Sequence, residues 1–251
     1  MLDDHLRENL LKVDPDRYRA AMFAQSGTRE RLLVFYAFHA ELSKVPERVS
    51  GPVIGQIRYQ WWRDAIDEIY SGEGVRNHEV AASLTQVLHE RDVPRYWIDR
   101  LIDGRERDLD PTPFKNIDDA RNYCRRTSGV LMQIAAWLCV DEFNEKGVLK
   151  AGESWGLTGL ARSWKYYRRT ILSELTYETV GAAAHETYTQ ARTDLGKLPE
   201  MLVPALAYAG LVPKYLSRLR ASKFNPDEDS LIYPVLLKQL RLMGVVMRGF
   251  I

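Results

Sequence analysis

Residues 37–70 read AFHAELSKVPERVSGPVIGQIRYQWWRDAIDEIY, and this stretch decides the fold class. Apolar residues recur every three or four positions on both sides of Ser50-Gly51-Pro52, a spacing that is typical of amphipathic α-helices. The Gly-Pro pair marks the boundary, because proline is well tolerated at the first position of a helix. The stretch therefore predicts two long helices joined by a tight break. In the second helix we expect this apolar stripe to be buried: Ile54, Ile57, Trp61, Ala65 and Ile69.

The same helical period continues on either side of this stretch, and the alternation expected of β-strands is nearly absent. Breaks occur at Asp14-Pro15-Asp16, at Ser26-Gly27-Thr28 and at residues 110–113, each containing proline or glycine. Residues 117–140 form one long predicted buried helix, and residues 231–250 form the last predicted helix. The sequence predicts an all-α, single-domain helical bundle over residues 1–251 with short loops.

Composition narrows the classes of partner and compartment. The 35 Lys and Arg residues almost balance the 34 Asp and Glu residues, so no nucleic acid partner is expected. Cys124 and Cys139 fall in one predicted helix, which argues against a disulfide and for a reducing compartment. The first residues lack the apolar segment of a signal peptide, and no apolar run is long enough to span a bilayer. We expect a cytoplasmic protein, or a mitochondrial matrix protein in a eukaryote, with peripheral membrane contact left open.

Three segments resemble the squalene/phytoene synthase family in their order and spacing. The first is TRERLLVFYAFHAELSKVPE at residues 28–47, and the second is WWRDAIDEIYSGE at 61–73 followed by LIDGRERDLD at 101–110. The third is YCRRTSGVLMQIAAWL at 123–138 followed by GLTGLARSW at 156–164. The resemblance covers roughly two thirds of the chain and implies the isoprenoid synthase fold.

The resemblance also implies a chemistry, which the residues at the matching positions do not support. Members of the family hold prenyl diphosphates through magnesium ions, and magnesium prefers carboxylate oxygens as ligands. At the first acidic motif this chain has Ser43 and Lys44, and Glu47 is the only acid at a matching place. At the second motif residues 163–167 read SWKYY and contain no carboxylate. Magnesium-dependent condensation is therefore not expected, and a cofactor is expected only if activity survives, in which case it is magnesium.

Residues 37–70 resemble one branch of the family more closely, namely mitochondrial complex I assembly factor 6 and its bacterial relatives. The features shared with that branch include Ala37-Phe38, Glu41-Leu42, Ile54-Gly55, Trp62 and Ile69-Tyr70. Those proteins keep the fold with eroded acidic motifs. The resemblance implies a role in assembling a respiratory complex, with complex I subunits or other assembly proteins as partners.

Candidate site residues follow from the resemblance and from charge spacing. Catalytic remnants would be Glu47, Asp103 and Asp108. Weak metal-ligand candidates are Asp103, Glu106 and Asp110, which share a helix face at spacings of three and seven residues. An alternative is that these acids pair with neighbouring arginines on a solvated face. Candidates for contact with an isoprenoid or lipid-like ligand are Phe38, Arg58, Tyr59, Trp62 and Arg162.

Three functions remain open on the sequence, the third of which is a purely structural protein whose cavity is filled by its own side chains. The first is a degenerate prenyltransferase, or pseudoenzyme, that binds a lipid-like ligand or a protein partner in respiratory complex I assembly. The second is an active magnesium-dependent farnesyl or geranylgeranyl diphosphate transferase that uses the acids between residues 103 and 110. An open tunnel lined by Phe38, Tyr59 and Trp62 with inward carboxylates would favour the enzyme, and a closed or wholly apolar interior would favour the binding or the structural function.

Overall fold

The computed structural model describes residues 2–74, 76–219, 224–229 and 233–251, and within these ranges the regular structure is helical throughout. Short 3-10 turns and one π-helical segment, Arg125–Gly129, connect some of the helices. The α-helices of the described residues are α1 Asp4–Val13, α2 Pro15–Ala21, α3 Ser26–Ser43, α4 Pro52–Ser71, α5 Glu79–Glu90, α6 Arg95–Glu106, α7 Ile117–Cys124, α8 Val130–Trp137, α9 Glu145–Arg162, α10 Trp164–Tyr167, α11 Tyr177–Leu195, α12 Val203–Leu206, α13 Val212–Leu219 and α14 Val235–Arg248. The all-α prediction is confirmed.

Side chains at the helix ends explain several of the boundaries. The carboxylate of Asp14 accepts from the backbone N–H of Arg17, and Pro15 occupies the first turn of α2. Asn144 caps α9 by accepting from the N–H of Gly147, and Thr176 caps α11 in the same way. Gly72 ends α4 with φ of 74°, a conformation that glycine adopts without a steric cost. These local signals set the lengths of the helices that form the bundle.

The helix α9 occupies the centre of the bundle, where it packs against α7, α8, α11 and α13. Glycine allows the closest of these approaches. A Cβ atom at Gly152 would lie 2.4 Å from the carbonyl oxygen of Ser128, which belongs to the π-helical segment. One at Gly156 would lie 2.9 Å from the Cβ of Cys124. The predicted long helix over 117–140 is therefore present in outline, as α7, the π-helical segment and α8.

The predicted buried stripe of α4 was wrong at its N-terminal end. Ile54 and Ile57 are 45% and 63% exposed, whereas Tyr59 and Trp62 on the adjacent face are buried. The helix has apolar residues on two neighbouring faces, and it packs on α6 and the turn after it through the second of them. Gly55 lies on that face and leaves room for Leu109, whose Cδ2 would be 2.4 Å from a Cβ at this position.

The last helix is shorter than predicted. Residues 231 and 232 of the predicted range lie outside the described residues, and α14 begins at Val235. Pro234 precedes it at the N-cap, and Gly249 ends it with φ of 70°. The inner side of α14 packs on the 3-10 turn at 207–211, on α12 and on α2, which brings the C-terminus of the chain against its N-terminal part.

Candidate functional site

A cavity of about 910 Å³ lies where α2, α3, the end of α6, the end of α9 and α10 meet. Its wall is strongly charged for an interior surface. The acidic residues that line it are Asp14, Asp16, Glu47, Asp108 and Asp110, and the basic residues are Arg17, Lys44, Arg105, Arg107 and Arg162. Because the two sets are equal in number, the wall carries opposite charges in balance.

Arg105 lies at the centre of one hydrogen-bond network in the wall. Its guanidinium donates to Oδ2 of Asp108 at 2.9 Å and to Nε2 of His39 at 3.1 Å. The hydroxyl of Tyr123 donates to the other carboxylate oxygen of Asp108 at 2.6 Å. Both ends of the Asp108 carboxylate are thus bound, and this fixes the side chain against the cavity wall.

His39 is 5% exposed and faces this network from α3. Burial lowers the pKa of His39 well below its ordinary value, and the nearby charges of Arg105 and Arg17 lower it further. The ring is therefore neutral at pH 7, and its Nε2 atom is the acceptor for Arg105. A neutral histidine in this position serves as a hydrogen-bond acceptor.

A second charged cluster joins the N-terminal and C-terminal parts of the chain. Asp16 is 2% exposed, and it accepts from Nζ of Lys238 on α14 and from the hydroxyl of Tyr215 on α13, both at 2.9 Å. Arg162 reaches the same carboxylate at 3.7 Å and lies over the ring of Tyr215, 4.3 Å from its centroid. Beside this cluster Arg17 pairs with Asp14 at 2.5 Å. The second cluster is therefore also held by matched charges.

Two donors in this wall have no partner among the described residues. The Nε atoms of Arg17 and Arg105 are both buried, and neither makes a hydrogen bond to the described part of the protein. Buried donors of this kind are uncommon because each loses its hydration without a replacement. Each of these two guanidinium groups therefore has one donor that its ion-pair partner leaves unsatisfied.

The carboxylates of the cavity do not fit the magnesium cluster that the family resemblance implies. Four of the five pair with a basic side chain: Asp14 with Arg17, Asp16 with Lys238, Asp108 with Arg105 and Asp110 with Arg107. A cation that approached them would meet these positive charges directly. Across the described ranges, no three or more His, Cys, Asp or Glu side chains are grouped so as to hold a metal ion.

The structure divides the predicted ligand-contact residues among three places. Arg162 lines the cavity, whereas Phe38 and Tyr59 are buried in the core and outside the cavity wall. Tyr59 donates its hydroxyl to the carbonyl oxygens of Leu42 and Arg105, each at 3.0 Å. Trp62 packs on Phe38 with ring centroids 5.1 Å apart. With Arg58, Trp62 also borders a separate surface groove of about 430 Å³.

The predicted acidic residues are divided in a similar way. Asp103 and Glu106 both accept from Arg63, at 2.7 and 2.6 Å, on the outside of α6. Asp108 and Asp110 line the cavity, and so does Glu47. The structure therefore brings Asp103 and Glu106 together at Arg63, and places the third metal-ligand candidate, Asp110, on the cavity wall. These acids pair with arginines, and the partner of Asp103 and Glu106 is Arg63 on α4, which is distant from both of them in the sequence.

Several wall residues could not be found from the sequence pattern. The pattern around Asp14 and Asp16 predicts only a helix break, and Arg105 is one of several arginines among the acids of residues 103–110. Asp16 and Lys238 are 222 positions apart, so no local spacing indicates their contact. The sequence feature that could have indicated these acids is the Asp14-Pro15-Asp16 segment, in which two acids flank a proline at the start of a helix.

Comparisons with known proteins agree with this architecture. A family model described as squalene/phytoene synthase matches residues 10–170. The chain is 23% identical to bovine (Bos taurus) NADH dehydrogenase (ubiquinone) complex I, assembly factor 6 in an alignment that covers 91% of this chain and 77% of that one. It is 23% identical to the Homo sapiens protein of the same name over 196 residues, 76% of this chain and 59% of that one.

Solved structures show the same fold at low sequence identity. A dehydrosqualene synthase in complex with ligand superposes with a TM-score of 0.78 at 16% identity, over 96% of this chain and 94% of that one. Squalene synthase HpnC from Alicyclobacillus acidocaldarius superposes with a TM-score of 0.64 at 13% identity, over 98% and 93%. The predicted isoprenoid synthase fold is confirmed. None of the described helices combines the length and the apolar character needed to cross a bilayer.

Proposed function

The chain belongs to the squalene/phytoene synthase family, and from that premise we propose that it is a non-catalytic member that acts by binding during respiratory complex I assembly. The curated relatives described above are named as assembly factors of complex I, and they match across most of this chain. The cavity would hold a lipid-like ligand or stabilise a surface for a protein partner. The mitochondrial matrix would be the compartment in a eukaryote, and the cytoplasm in a bacterium.

One observation carries this proposal. The cavity aspartates are engaged by basic side chains of the same protein, while Arg17 and Arg105 each keep one buried donor without a partner. A magnesium-dependent prenyltransferase needs free carboxylates to hold the metal and the diphosphate. In this wall the carboxylates of Asp14, Asp108 and Asp110 are paired with arginines and are not free. The arrangement favours a ligand held by hydrogen bonds over one activated by metal ions.

A second candidate function rests on a different observation. Five carboxylates line a single cavity of this size, and Glu47 and Asp110 lie on its wall. If the ion pairs opened when a diphosphate bound the arginines, these acids would become available to magnesium. The chain would then be an active farnesyl or geranylgeranyl diphosphate transferase. An open tunnel lined by Phe38, Tyr59 and Trp62 with inward carboxylates would have favoured the enzyme over the binding protein. The cavity contains carboxylates but is not lined by these three residues, so this test does not distinguish the two functions.

Two experiments test the proposal. In the first, purified protein is given magnesium with farnesyl or geranylgeranyl diphosphate, and pyrophosphate release is measured. We expect none above the rate without protein. Release that is lost in the Asp103→Asn/Asp108→Asn variant would establish the enzyme, and circular dichroism of that variant would show that it is folded.

In the second experiment, the gene is deleted in the source organism, and assembled complex I is measured on native gels. We expect less assembled complex, restored by the wild-type chain. Glu47→Gln/Asp110→Asn should restore it equally, because both side chains lie on the cavity wall but would have no metal to bind. Normal complex I in the deletion strain would contradict the assembly role, and failure of this variant alone would favour the transferase.

A further inference from the structure

The C-terminal helix α14 is apolar on the side that faces away from the bundle. Its inner side is accounted for, since Leu242 and Val245 are buried and Lys238 reaches Asp16. Its outer side carries a stripe at positions i, i+4, i+7 and i+11. The exposed fractions along this outer stripe are 66% for Leu236, 55% for Leu240, 48% for Met243 and 83% for Met247.

A helix that is apolar on both sides is normally covered on both sides. Val235 and Leu237 lie on either side of the stripe and Phe250 follows the end of the helix, and these three are 51%, 44% and 37% exposed. Large exposed apolar groups scattered singly are ordinary, but a continuous stripe of this kind marks a contact surface. The occupant has to be identified from the charges around it.

The charges on this segment all have one sign. Residues 233–251 contain Lys238, Arg241 and Arg248 and no Asp or Glu, although acids and bases are nearly equal in number over the whole chain. Lys238 is buried in its ion pair, Arg241 is half-buried and donates to the carbonyl oxygen of Gly210, and Arg248 is exposed. Lys197, which is exposed, lies against Gly249 at the end of the helix. The surface therefore complements a negatively charged partner.

We propose that the outer stripe of α14 docks on an anionic lipid bilayer surface. Helices that lie in the bilayer interface combine an apolar face of this width with flanking Lys or Arg and few acids. This inference does not depend on the function proposed above. It assigns to one named helix the peripheral membrane contact that the sequence left open.

A second copy of the chain fits this surface less well. An α14–α14 contact between two copies would bring Arg241 and Arg248 of each copy together without an acid from the same segment to pair with them. Stable protein interfaces also take about 20–30 residues from each partner, and this surface offers seven exposed apolar side chains. A bilayer surface needs neither a paired acid from the same segment nor an interface of that size.

The test is co-sedimentation of the full chain with vesicles of phosphatidylcholine and phosphatidylglycerol in equal amounts, and with phosphatidylcholine alone. We expect binding to the mixed vesicles, weakened by salt, and little to the neutral ones. Leu240→Glu/Met247→Glu should weaken binding by ~10-fold or more, since it places charge in the apolar face. Arg248→Gln should weaken it about fivefold, the contribution of one basic residue at an anionic surface.

The matched control is Val53→Glu/Ile57→Glu, which adds the same charges at apolar residues of α4 that are 68% and 63% exposed. It should bind the mixed vesicles like the wild type. Circular dichroism and sedimentation velocity accompany each variant. The proposal is overturned if the wild type does not bind, or if the control loses as much binding as the α14 variant. It is also overturned if the α14 variant instead abolishes a dimer of the wild type, which would identify a second copy as the occupant.

Discussion

Two neighbouring residues of α3 face two different interiors. Phe38 points into an aromatic core with Phe35 and Trp62, where the ring centroids lie 6.3 and 5.1 Å from its own. His39, the next residue, faces the charged wall of the cavity and accepts a hydrogen bond from Arg105. The aromatic core is stabilised by apolar area removed from water, and the charged wall by the matching of buried ions.

The two regions should therefore respond differently to mutation. In the aromatic core each lost group costs the area and the contacts that it provided, because its removal leaves a cavity but no uncompensated charge. In the charged wall the cost depends on whether the partner is removed as well, because an unpaired buried charge is worse than no charge. Single and double substitutions can separate these two behaviours.

The largest effect is expected in the aromatic core. Phe38→Ala should lower the free energy of unfolding by about 3–5 kcal/mol, since the side chain is fully buried and leaves a cavity that its neighbours fill only in part. Urea unfolding followed by circular dichroism measures it. The control is Phe23→Ala, which removes a phenylalanine that is 40% exposed and should cost much less. Equal losses in the two variants would mean that this region is not a packed core.

The second largest loss of stability is expected in the charged wall, and its size depends on whether the partner of the replaced residue is still present. Asp16→Asn should cost about 3 kcal/mol, because it leaves Lys238 buried beside a neutral amide. Adding Lys238→Met should recover most of that loss, since the pair is then replaced by groups that need no counter-charge. Thermal and urea unfolding of the two single variants and the double variant form the cycle. Additive losses would show that the two side chains do not interact.

The aromatic core was the more predictable of the two regions. Phe38, Tyr59 and Trp62 lie in the two helices that the apolar period of residues 37–70 predicts, although the stripe predicted to be buried in α4 contained Ile54 and Ile57 instead of Tyr59 and Trp62. The apolar period does not indicate whether these residues contact a ligand, because a buried core and the wall of a tunnel show the same period. The choice between the two apolar faces of α4 also needed the position of Leu109, which lies 54 residues beyond Gly55.

The charged wall was predicted only in part. Glu47, Asp108 and Arg162 were candidates from the family resemblance, and the structure places all three on the cavity. Asp16 and Lys238 come from opposite ends of the chain, and their contact exists only once α14 packs on α2. Electrostatic pairs of this kind depend on tertiary structure, so the spacing of charges along the sequence does not predict them.

A third prediction concerns the pH dependence of stability, to which His39 contributes and Phe38 does not. Because the pKa of His39 is lowered by burial and by Arg105 and Arg17, the folded protein keeps this ring neutral while the unfolded chain protonates it below about pH 6.5. Stability is full above that pH and falls as the pH drops toward the folded-state pKa.

Between about pH 7.5 and about pH 5.5 the wild type should lose roughly 1.4 kcal/mol through this group alone. His39→Gln keeps an acceptor for Arg105 but does not titrate, so its free energy of unfolding should lack that part of the loss. Urea unfolding at the two pH values measures it. Identical pH profiles for the wild type and the variant would mean that His39 is accessible to protons in the folded state.

The smallest effect is expected at the acids outside the cavity. Asp103 has a side chain that is 47% exposed, and Arg63 keeps Glu106 as a partner when Asp103 is replaced. Asp103→Asn should therefore change the free energy of unfolding by less than about 1 kcal/mol, well below the cost of Asp16→Asn. Thermal unfolding with and without magnesium tests stability and metal binding together. If magnesium stabilised the wild type but not Asp103→Asn, a cation would bind at the outer face of α6, where the two carboxylates that share Arg63 would have exchanged that partner for a metal.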